Sequence, residues 1–192
     1  MRIEDIETKF HGVIGVDLSY TETAFVFDSD FPKSNTGIDK NFGYLRVKLP
    51  STNLRRSYDI LVDNLQNCVA SLENHKLIDL VVLENYSFGS RMLTTMGELG
   101  GIFKLLLEQE EIPYILVAPT TLKKFITGDG HSKKDKILQQ VYKRWGFEAP
   151  SSDVGDAFGL WKIGKAFLGE NVKELTKEQT KQIIDLKKRF AG

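Results

Sequence analysis

Short apolar or alternating segments recur along the chain and predict β-strands. They are GVIGVDLS, TAFVFDSD, GYLRVKLP, IDLVVLEN and PYILVAP, at residues 12–19, 23–30, 43–50, 78–85 and 113–119. Their apolar, β-branched and aromatic residues are typical of buried strands. A turn at residues 20–22 joins the first two, and the polar stretch FPKSNTGIDKN leads into the third. The first three strands can therefore form an antiparallel meander.

Apolar residues at helical spacing predict helices between and after these strands. We expect a helix at residues 54–75, capped by Asn53, and another at 92–111, where Gly97, Gly100 and Gly101 indicate close packing. Further helices are expected at residues 134–146, 151–164 and about 176–189, and a glycine-rich loop within residues 122–134. This order predicts an α/β fold with a five-stranded mixed sheet and helices on both faces.

Composition indicates an ordinary soluble protein of one domain. Hydrophobic residues make up 41% and charged residues 27% of the 192. No run approaches the roughly 20 apolar residues that cross a bilayer, and the polar start MRIEDIETKFHG is unlike a secretion signal. The single cysteine, Cys68, excludes an internal disulfide framework. We therefore expect a cytoplasmic protein without a membrane partner.

The charges balance overall, with 26 basic and 26 acidic residues, but they are unevenly distributed. Residues 123–144 hold seven basic side chains against two acidic ones, and the basic ones are Lys123, Lys124, Lys133, Lys134, Lys136, Lys143 and Arg144. Such a cluster can follow a nucleic-acid backbone, and its alternative is a solvated helix face. A basic groove can therefore exist despite a net charge of zero.

Four carboxylates occupy positions that otherwise look built for burial. Asp17 lies within an apolar strand, on the face of Gly15, and Glu84 ends the strand IDLVVLE. Asp153 and Asp156 lie three positions apart and so share one face of an apolar helix. A charge buried at such places costs several kcal/mol unless it is paired or bound to a metal.

Each acid alone has a structural explanation. Asp17 could belong to a turn, Glu84 to a strand-end ion pair, and Asp153 to the first turn of a helix, where the dipole favours it. Asp156 is harder to explain in this way because it lies deeper in the apolar face. The four together predict a hard-cation site for two Mg²⁺ ions, with Mn²⁺ as a substitute. Two ions about 4 Å apart can activate water and stabilise the leaving oxygen in phosphodiester cleavage.

Four segments in this order, GVIGVDLS, VVLENYSFG, APTTLKKFITGDGHSKKDKI and SSDVGDAFGLWKIG, resemble RuvC-type Holliday junction resolvases of the ribonuclease H-like fold. The resemblance covers residues 12–169, and the compact, divergent chain resembles a bacteriophage member. It implies one nuclease domain over residues 1–192, with a helical extension from about residue 170. It also implies a homodimer that uses divalent metal to cut four-way and other branched DNA by paired nicks, leaving 5′-phosphate and 3′-hydroxyl ends.

The resemblance also assigns residues. The family's catalytic, metal-binding acids match Asp17, Glu84, Asp153 and Asp156. Its basic catalytic positions match Lys123 and Lys134, and the neighbours Lys133 and Lys136 compete with Lys134. We expect the DNA-binding residues to be the two aromatics after Glu84 and the nearby lysines, namely Tyr86, Phe88, Lys123, Lys124, Lys133, Lys134 and Lys136. Which aromatic meets the junction stays open, and core packing is the alternative for both.

Other functions are compatible with parts of the pattern. Another nuclease of the same fold, acting on flaps, RNA–DNA hybrids or structured RNA, would need the same acids. An actin-like kinase or ATPase can also begin with a strand such as VIGVDLS, but it needs two duplicated domains and a second phosphate loop. A junction-binding protein without catalysis would leave the four acids unexplained. The sequence therefore favours a branched-DNA endonuclease.

Overall fold

Five strands form one mixed sheet in the computed structural model, which describes residues 12–29, 42–50, 53–70, 78–85 and 93–190. The strands are β1 (Gly12–Asp17), β2 (Thr23–Asp28), β3 (Phe42–Val47), β4 (Ile78–Glu84) and β5 (Tyr114–Val117). Their order is β3-β2-β1-β4-β5, in which β1–β2 and β2–β3 are antiparallel and β1–β4 and β4–β5 are parallel. The predicted meander and the five-stranded mixed sheet are confirmed.

Helices cover both faces of this sheet, as expected. In the described part of the chain they are α1 (Leu54–Ala70), α2 (Leu93–Gln109), α3 (Pro119–Thr127), α4 (Lys134–Trp145), α5 (Ser152–Leu168) and α6 (Lys177–Phe190). Helices α1 and α2 share a buried apolar cluster with Ile14, Val16 and Leu18, whereas α3 to α6 pack on the face of Val13. None of these helices is long and apolar enough to cross a membrane.

Helix α5 lies directly against β1, and Gly15 is the reason it can. A Cβ atom at Gly15 would lie 2.2 Å from the carbonyl oxygen of Ala157 and 2.3 Å from the backbone nitrogen of Trp161. The backbones of strand and helix therefore touch where any side chain would separate them. This contact places the N-terminal turn of α5 at the carboxyl end of β1, beside Asp17.

Two local predictions need correction. Residues 119–127 form a helix, α3, which the sequence analysis did not predict: Pro119 occupies its first turn and Gly128, at φ 83°, ends it. The close packing predicted for α2 does not occur at Gly97 or Gly101, because a Cβ there would meet no described atom within 4 Å. The polar stretch at residues 31–41 lies outside the described residues.

Polar contacts fix the start of α1 and the position of α6. The side chain of Asn53 accepts a hydrogen bond from the backbone of Arg56 at 3.0 Å, as expected for the cap of α1. At the other end of the chain, α6 packs on α3. Lys124 pairs with Glu178 at 2.6 Å, and the Gln179 amide donates to the carbonyl oxygen of Phe125 at 2.9 Å. Helix α6 thereby supports the lysine-bearing helix α3.

Gly15→Ala should lower the free energy of unfolding by about 1–3 kcal/mol or more, because both clashing atoms belong to backbone that cannot rotate away. Gly101→Ala is the matched control: its new methyl group meets no described atom, and the helix should gain about 0.5–1 kcal/mol. Urea unfolding followed by circular dichroism measures both. An unchanged free energy for Gly15→Ala would contradict the close approach.

Candidate active site

Two of the four acids come from neighbouring parallel strands. The register pairs Val16 with Leu83, so Asp17 and Glu84 follow at the same edge of the sheet. Both are partly buried. Strand alternation places Asp17 on the face of Gly15, while Ile14, Val16 and Leu18 enter the opposite core, as expected. The central strands thus carry two carboxyl groups to the N-terminal end of α5.

The other two acids lie in the first turns of α5. Ser151 caps this helix by accepting a hydrogen bond from the backbone of Val154. Asp153 is partly buried, whereas Asp156 is only 7% exposed. The four acids interact: Glu84, Asp156 and Asp153 all act electrostatically on Asp17. The structure therefore brings together the four carboxylates that the sequence analysis singled out.

Burial and mutual repulsion disfavour negative charge at this site. Burial, followed by the charges of Glu84, Asp156 and Asp153, raises the pKa of Asp17 well above its usual range. Burial also raises the pKa of Glu84, although Lys123 and a hydrogen bond from Asp17 oppose the shift. The two neighbouring carboxyl groups thus both resist losing their protons in the folded protein.

Asp156 shows most clearly that the positive charge at the site does not balance the buried acids. Burial, then the charge of Glu84, raises its pKa from 3.8 to about 7, against the opposing charge of Lys134. Its Oδ1 atom is buried without any hydrogen-bond partner among the described residues. A buried carboxylate oxygen without a donor is costly unless a cation meets it. The donor set, carboxylate oxygens alone, suits Mg²⁺ or Mn²⁺.

The acidic side chains alone do not complete a metal site. In the described part of the chain, no group of three or more His, Cys, Asp or Glu side chains forms a ready-made metal-ion site. Mg²⁺ usually binds one or two carboxylates and completes its octahedron with waters and substrate phosphates. The arrangement of the acids therefore fits ions that are held jointly by protein and substrate.

Two lysines border the acids. Lys134 Nζ lies 3.4 Å from Asp153 Oδ1 and 3.4 Å from Ser152 Oγ. Partial burial opposes its charged form, but Asp153 and the other acids outweigh this and raise the pKa of Lys134. Lys123, on α3, acts electrostatically on both Glu84 and Asp156. The acidic centre thus has positive charge on the α3–α4 side.

The neighbouring lysines point elsewhere. Lys136 lies 3.7 Å from Asp129, Lys124 pairs with Glu178, and Lys133 is exposed at the residue before α4. Of the three competitors left open by the sequence, Lys134 is the one in contact with the acids. Tyr86 and Phe88, the candidate junction aromatics, lie outside the described residues.

The structure adds a group of residues that the sequence analysis did not select. Glu22, in the turn after Asp17, accepts a hydrogen bond from the Ser151 hydroxyl on one carboxylate oxygen. Its other oxygen accepts from Arg46 of β3, at 3.1 Å from Nε and 3.0 Å from Nη2. We call Glu22, Ser151 and Arg46 the Glu22 bridge. Because 129 positions separate Glu22 from Ser151, no local sequence signal could reveal it.

The apolar face of α2 packs into the core. Leu99, Phe103 and Leu106 are at most 1% exposed. Leu105 on the same helix is 55% exposed. A surface for a second subunit on α2 would therefore use the side of Leu105.

Comparison with known proteins gives a distant sequence match. No protein-family model matches the chain. The crossover junction endodeoxyribonuclease RuvC of Carboxydothermus hydrogenoformans is 28% identical over 95 residues, which cover 47% of this chain and 60% of that protein. The match thus spans less than two thirds of that relative's length.

Solved structures identify the fold. A RuvC structure from Thermus thermophilus has a TM-score of 0.62 at 15% identity, covering 82% of this chain and 96% of that chain. T. thermophilus RuvC in complex with Holliday junction substrate has a TM-score of 0.61 at 17% identity, covering 79% and 91%. The chain therefore has the RuvC-type ribonuclease H-like fold, which confirms the predicted fold class.

Stability of the metal-free protein should fall as pH rises from about 5 to 8. The folded state binds more protons than the unfolded state between pH 3.8 and about 7, because folding raises the pKa of Asp156, and Asp17 and Glu84 act in the same direction. The Asp156 contribution is on the order of 3 kcal/mol. Urea midpoints measured with chelator at both pH values test this.

Asp156→Asn should flatten this dependence and be more stable than the parent at pH 8. Asp63→Asn removes an exposed carboxylate from α1, on the other face of the sheet, and serves as control. A parent protein that is equally stable at pH 5 and pH 8 would show that the acids do not repel one another in the folded state.

Proposed function

We propose that this protein is a metal-dependent endonuclease that resolves Holliday junctions and other branched DNA. The observation that carries the proposal is the convergence of Asp17, Glu84, Asp153 and Asp156 at one edge of the sheet, with Lys123 and Lys134 beside them. The distant sequence match to a crossover junction endodeoxyribonuclease supports the same reaction. T. thermophilus RuvC, whose fold this chain shares, has been captured with its junction substrate.

The four acids would hold two Mg²⁺ ions, or Mn²⁺ in their place, together with the DNA phosphate. When bound, such ions supply activation of water and stabilisation of the leaving oxygen, which gives 5′-phosphate and 3′-hydroxyl ends. Asp17 and Asp156 must give up their protons to bind a cation, so cation affinity rises with pH through about 7. Carboxylate oxygens are hard ligands, so the site would bind softer metals less tightly.

The lysines at the site would act on the scissile phosphate. Lys134 already contacts Asp153 at 3.4 Å, so its ammonium group can hold a phosphate oxygen next to the acids. Lys123 faces the same centre from α3. Positive charge fixed where negative charge develops stabilises the transition state. The exposed lysines Lys124, Lys133 and Lys136 would contact more distant phosphates, and Tyr86 and Phe88 would stack on bases at the junction centre.

Paired nicks on a four-way junction require two active sites, so we propose a homodimer. Helix α2 offers a surface for it, because Leu105 is exposed and Gly97 and Gly101 leave open space beside it. Small residues on a helix allow a second helix to approach closely. The proposed unit is therefore one domain per subunit, with α6 as a helical extension that supports α3.

Asp17→Asn should lower the rate of cleavage of a synthetic four-way junction by at least about a hundredfold, because it removes a charge from the centre of the site. Junction affinity measured in Ca²⁺ should stay within about threefold of the parent, since other groups contact the backbone. Asp63→Asn, which removes an exposed acid from α1 on the other face of the sheet, is the control. A panel of junction, flap, RNA–DNA hybrid and duplex substrates should show the junction cut fastest, with symmetric nicks. A preference for hybrid or flap would favour the alternative nuclease, and normal cutting by Asp17→Asn would refute the site.

Lys134→Gln and Lys136→Gln should separate catalysis from DNA binding. Lys134→Gln should slow cleavage at saturating junction by about tenfold or more, because its ammonium group lies beside the acids. Lys136→Gln should leave that rate unchanged and reduce the slope of log affinity against log salt by about one. Single-turnover cleavage and binding from 50 to 200 mM salt, about the range over which phosphate contacts are lost, measure these effects. Equal cleavage rates in the two variants would contradict the role of Lys134.

A further inference from the structure

We infer that Glu22 and Ser151 are positioning residues that hold the acid-bearing end of α5 against the strand end of Asp17, and this inference rests on the proposed function. Three parts of the fold meet in the Glu22 bridge: the turn after β1, strand β3 and the start of α5. No chemistry is assigned to Glu22 itself. Its role is to fix where Asp153 and Asp156 stand relative to Asp17.

The hydrogen bonds give Ser151 a fixed orientation. Its hydroxyl oxygen accepts from the Val154 backbone, and its hydroxyl proton goes to Glu22. The Ser151 hydroxyl is therefore a donor and an acceptor at once, so it cannot rotate without losing one of these hydrogen bonds. An ordinary N-cap side chain hydrogen-bonds only to the backbone of its own helix, whereas Ser151 also donates to the Glu22 carboxylate. The start of α5 is thereby attached to the rest of the fold two residues before Asp153.

Glu22 is held just as firmly. Arg46 Nε donates a hydrogen bond to its Oε2 atom, and Arg46 Nη2 forms an ion pair with the same atom, which leaves Oε1 for Ser151. The turn that carries Glu22 is itself tied by Thr23, whose hydroxyl donates to the carbonyl oxygen of Ser19 at 2.6 Å and accepts from the Ser19 backbone at 3.0 Å. Because this turn begins at Asp17, the bridge connects the first acid to the helix that carries the third and fourth.

Repulsion explains why such a connection is needed. Asp17 and Glu84 end neighbouring strands beside Asp156, whose buried Oδ1 atom has no hydrogen-bond donor among the described residues, so an unbraced α5 would gain by moving its first turn outward. The contact at Gly15 holds α5 at Ala157 and Trp161, which lie further along the helix. The Glu22 bridge acts at the N-terminal end of α5, two residues before Asp153.

A purely structural cap is the competing explanation, and metal affinity distinguishes the two. Partners that orient metal ligands typically change metal affinity by about 10–100-fold when they are removed. A helix cap without that role lowers stability alone. Asn53 provides the control, because it caps α1, which carries none of the four acids and packs on the other face of the sheet.

The experiment compares the full-length parent with Ser151→Ala, Ser151→Thr, Glu22→Gln and Asn53→Ala. Mn²⁺ is titrated into each DNA-free protein by calorimetry, and the Mg²⁺ concentration for half-maximal junction cleavage is measured at saturating DNA. Junction affinity in Ca²⁺ and thermal unfolding with chelator are measured alongside. Ser151→Ala should weaken Mn²⁺ binding and raise the Mg²⁺ requirement by about tenfold or more, with junction affinity unchanged. Ser151→Thr should restore both values, and Asn53→Ala should lower the unfolding temperature without changing either.

The outcomes separate this inference from the proposed function. Mn²⁺ affinity within twofold of the parent in Ser151→Ala, or an equal loss in Asn53→Ala, would overturn the positioning role. Should Ser151→Ala not fold, Glu22→Gln provides the comparison, because it keeps the shape of the side chain and removes its charge. Unchanged Mn²⁺ affinity in Glu22→Gln would then overturn it. A parent that binds Mn²⁺ but cuts no branched DNA would refute the proposed function while the Mn²⁺ titration still decides the role of Ser151.

Discussion

Electrostatic repulsion among four carboxyl groups is the constraint on which the rest of this structure depends. Asp17 and Glu84 reach one point from adjacent strands, and Asp156 meets them from a helix, with its Oδ1 atom left without a donor. Such an arrangement is unfavourable for the folded protein on its own. It persists because the surrounding core fixes its parts: Gly15 lets the backbone of α5 touch β1, and α3 and α4 bring lysines to its border.

Much of this could be predicted from the sequence, because strand and helix periodicities are local. Alternation alone assigned Asp17 to the face of Gly15, and helical spacing placed Asp153 and Asp156 on one side of α5. Helix α3 was missed, although Pro119 at its start and Gly128 after its end are typical helix boundaries. Those residues were interpreted as part of a glycine-rich loop, so Lys123 was expected near a loop and is on a helix.

Other features depend on contacts between distant segments and have no local signal. Whether Lys134 or Lys136 contacts the four acids depends on where α4 begins relative to Asp153. The partnership of Glu22 with Ser151 and Arg46 needs the finished sheet, because the turn after β1, the edge strand and the start of α5 meet only there. On α2, Gly97 and Gly101 border open space in the described part of the chain, so the close packing expected there does not involve the core of this chain.

Helix α5 is at once the carrier of two acids and the centre of the core, since every residue from Val154 to Ala166 is buried. Evolution therefore has little freedom to alter this helix: a substitution that changes catalysis would also disturb the packing of the whole domain. Divergence in substrate preference is therefore expected at exposed positions of peripheral elements, such as those of β3 and α4 other than Arg46 and Lys134. Lineages of such proteins would thus keep an almost invariant central helix while their outer surfaces diversify.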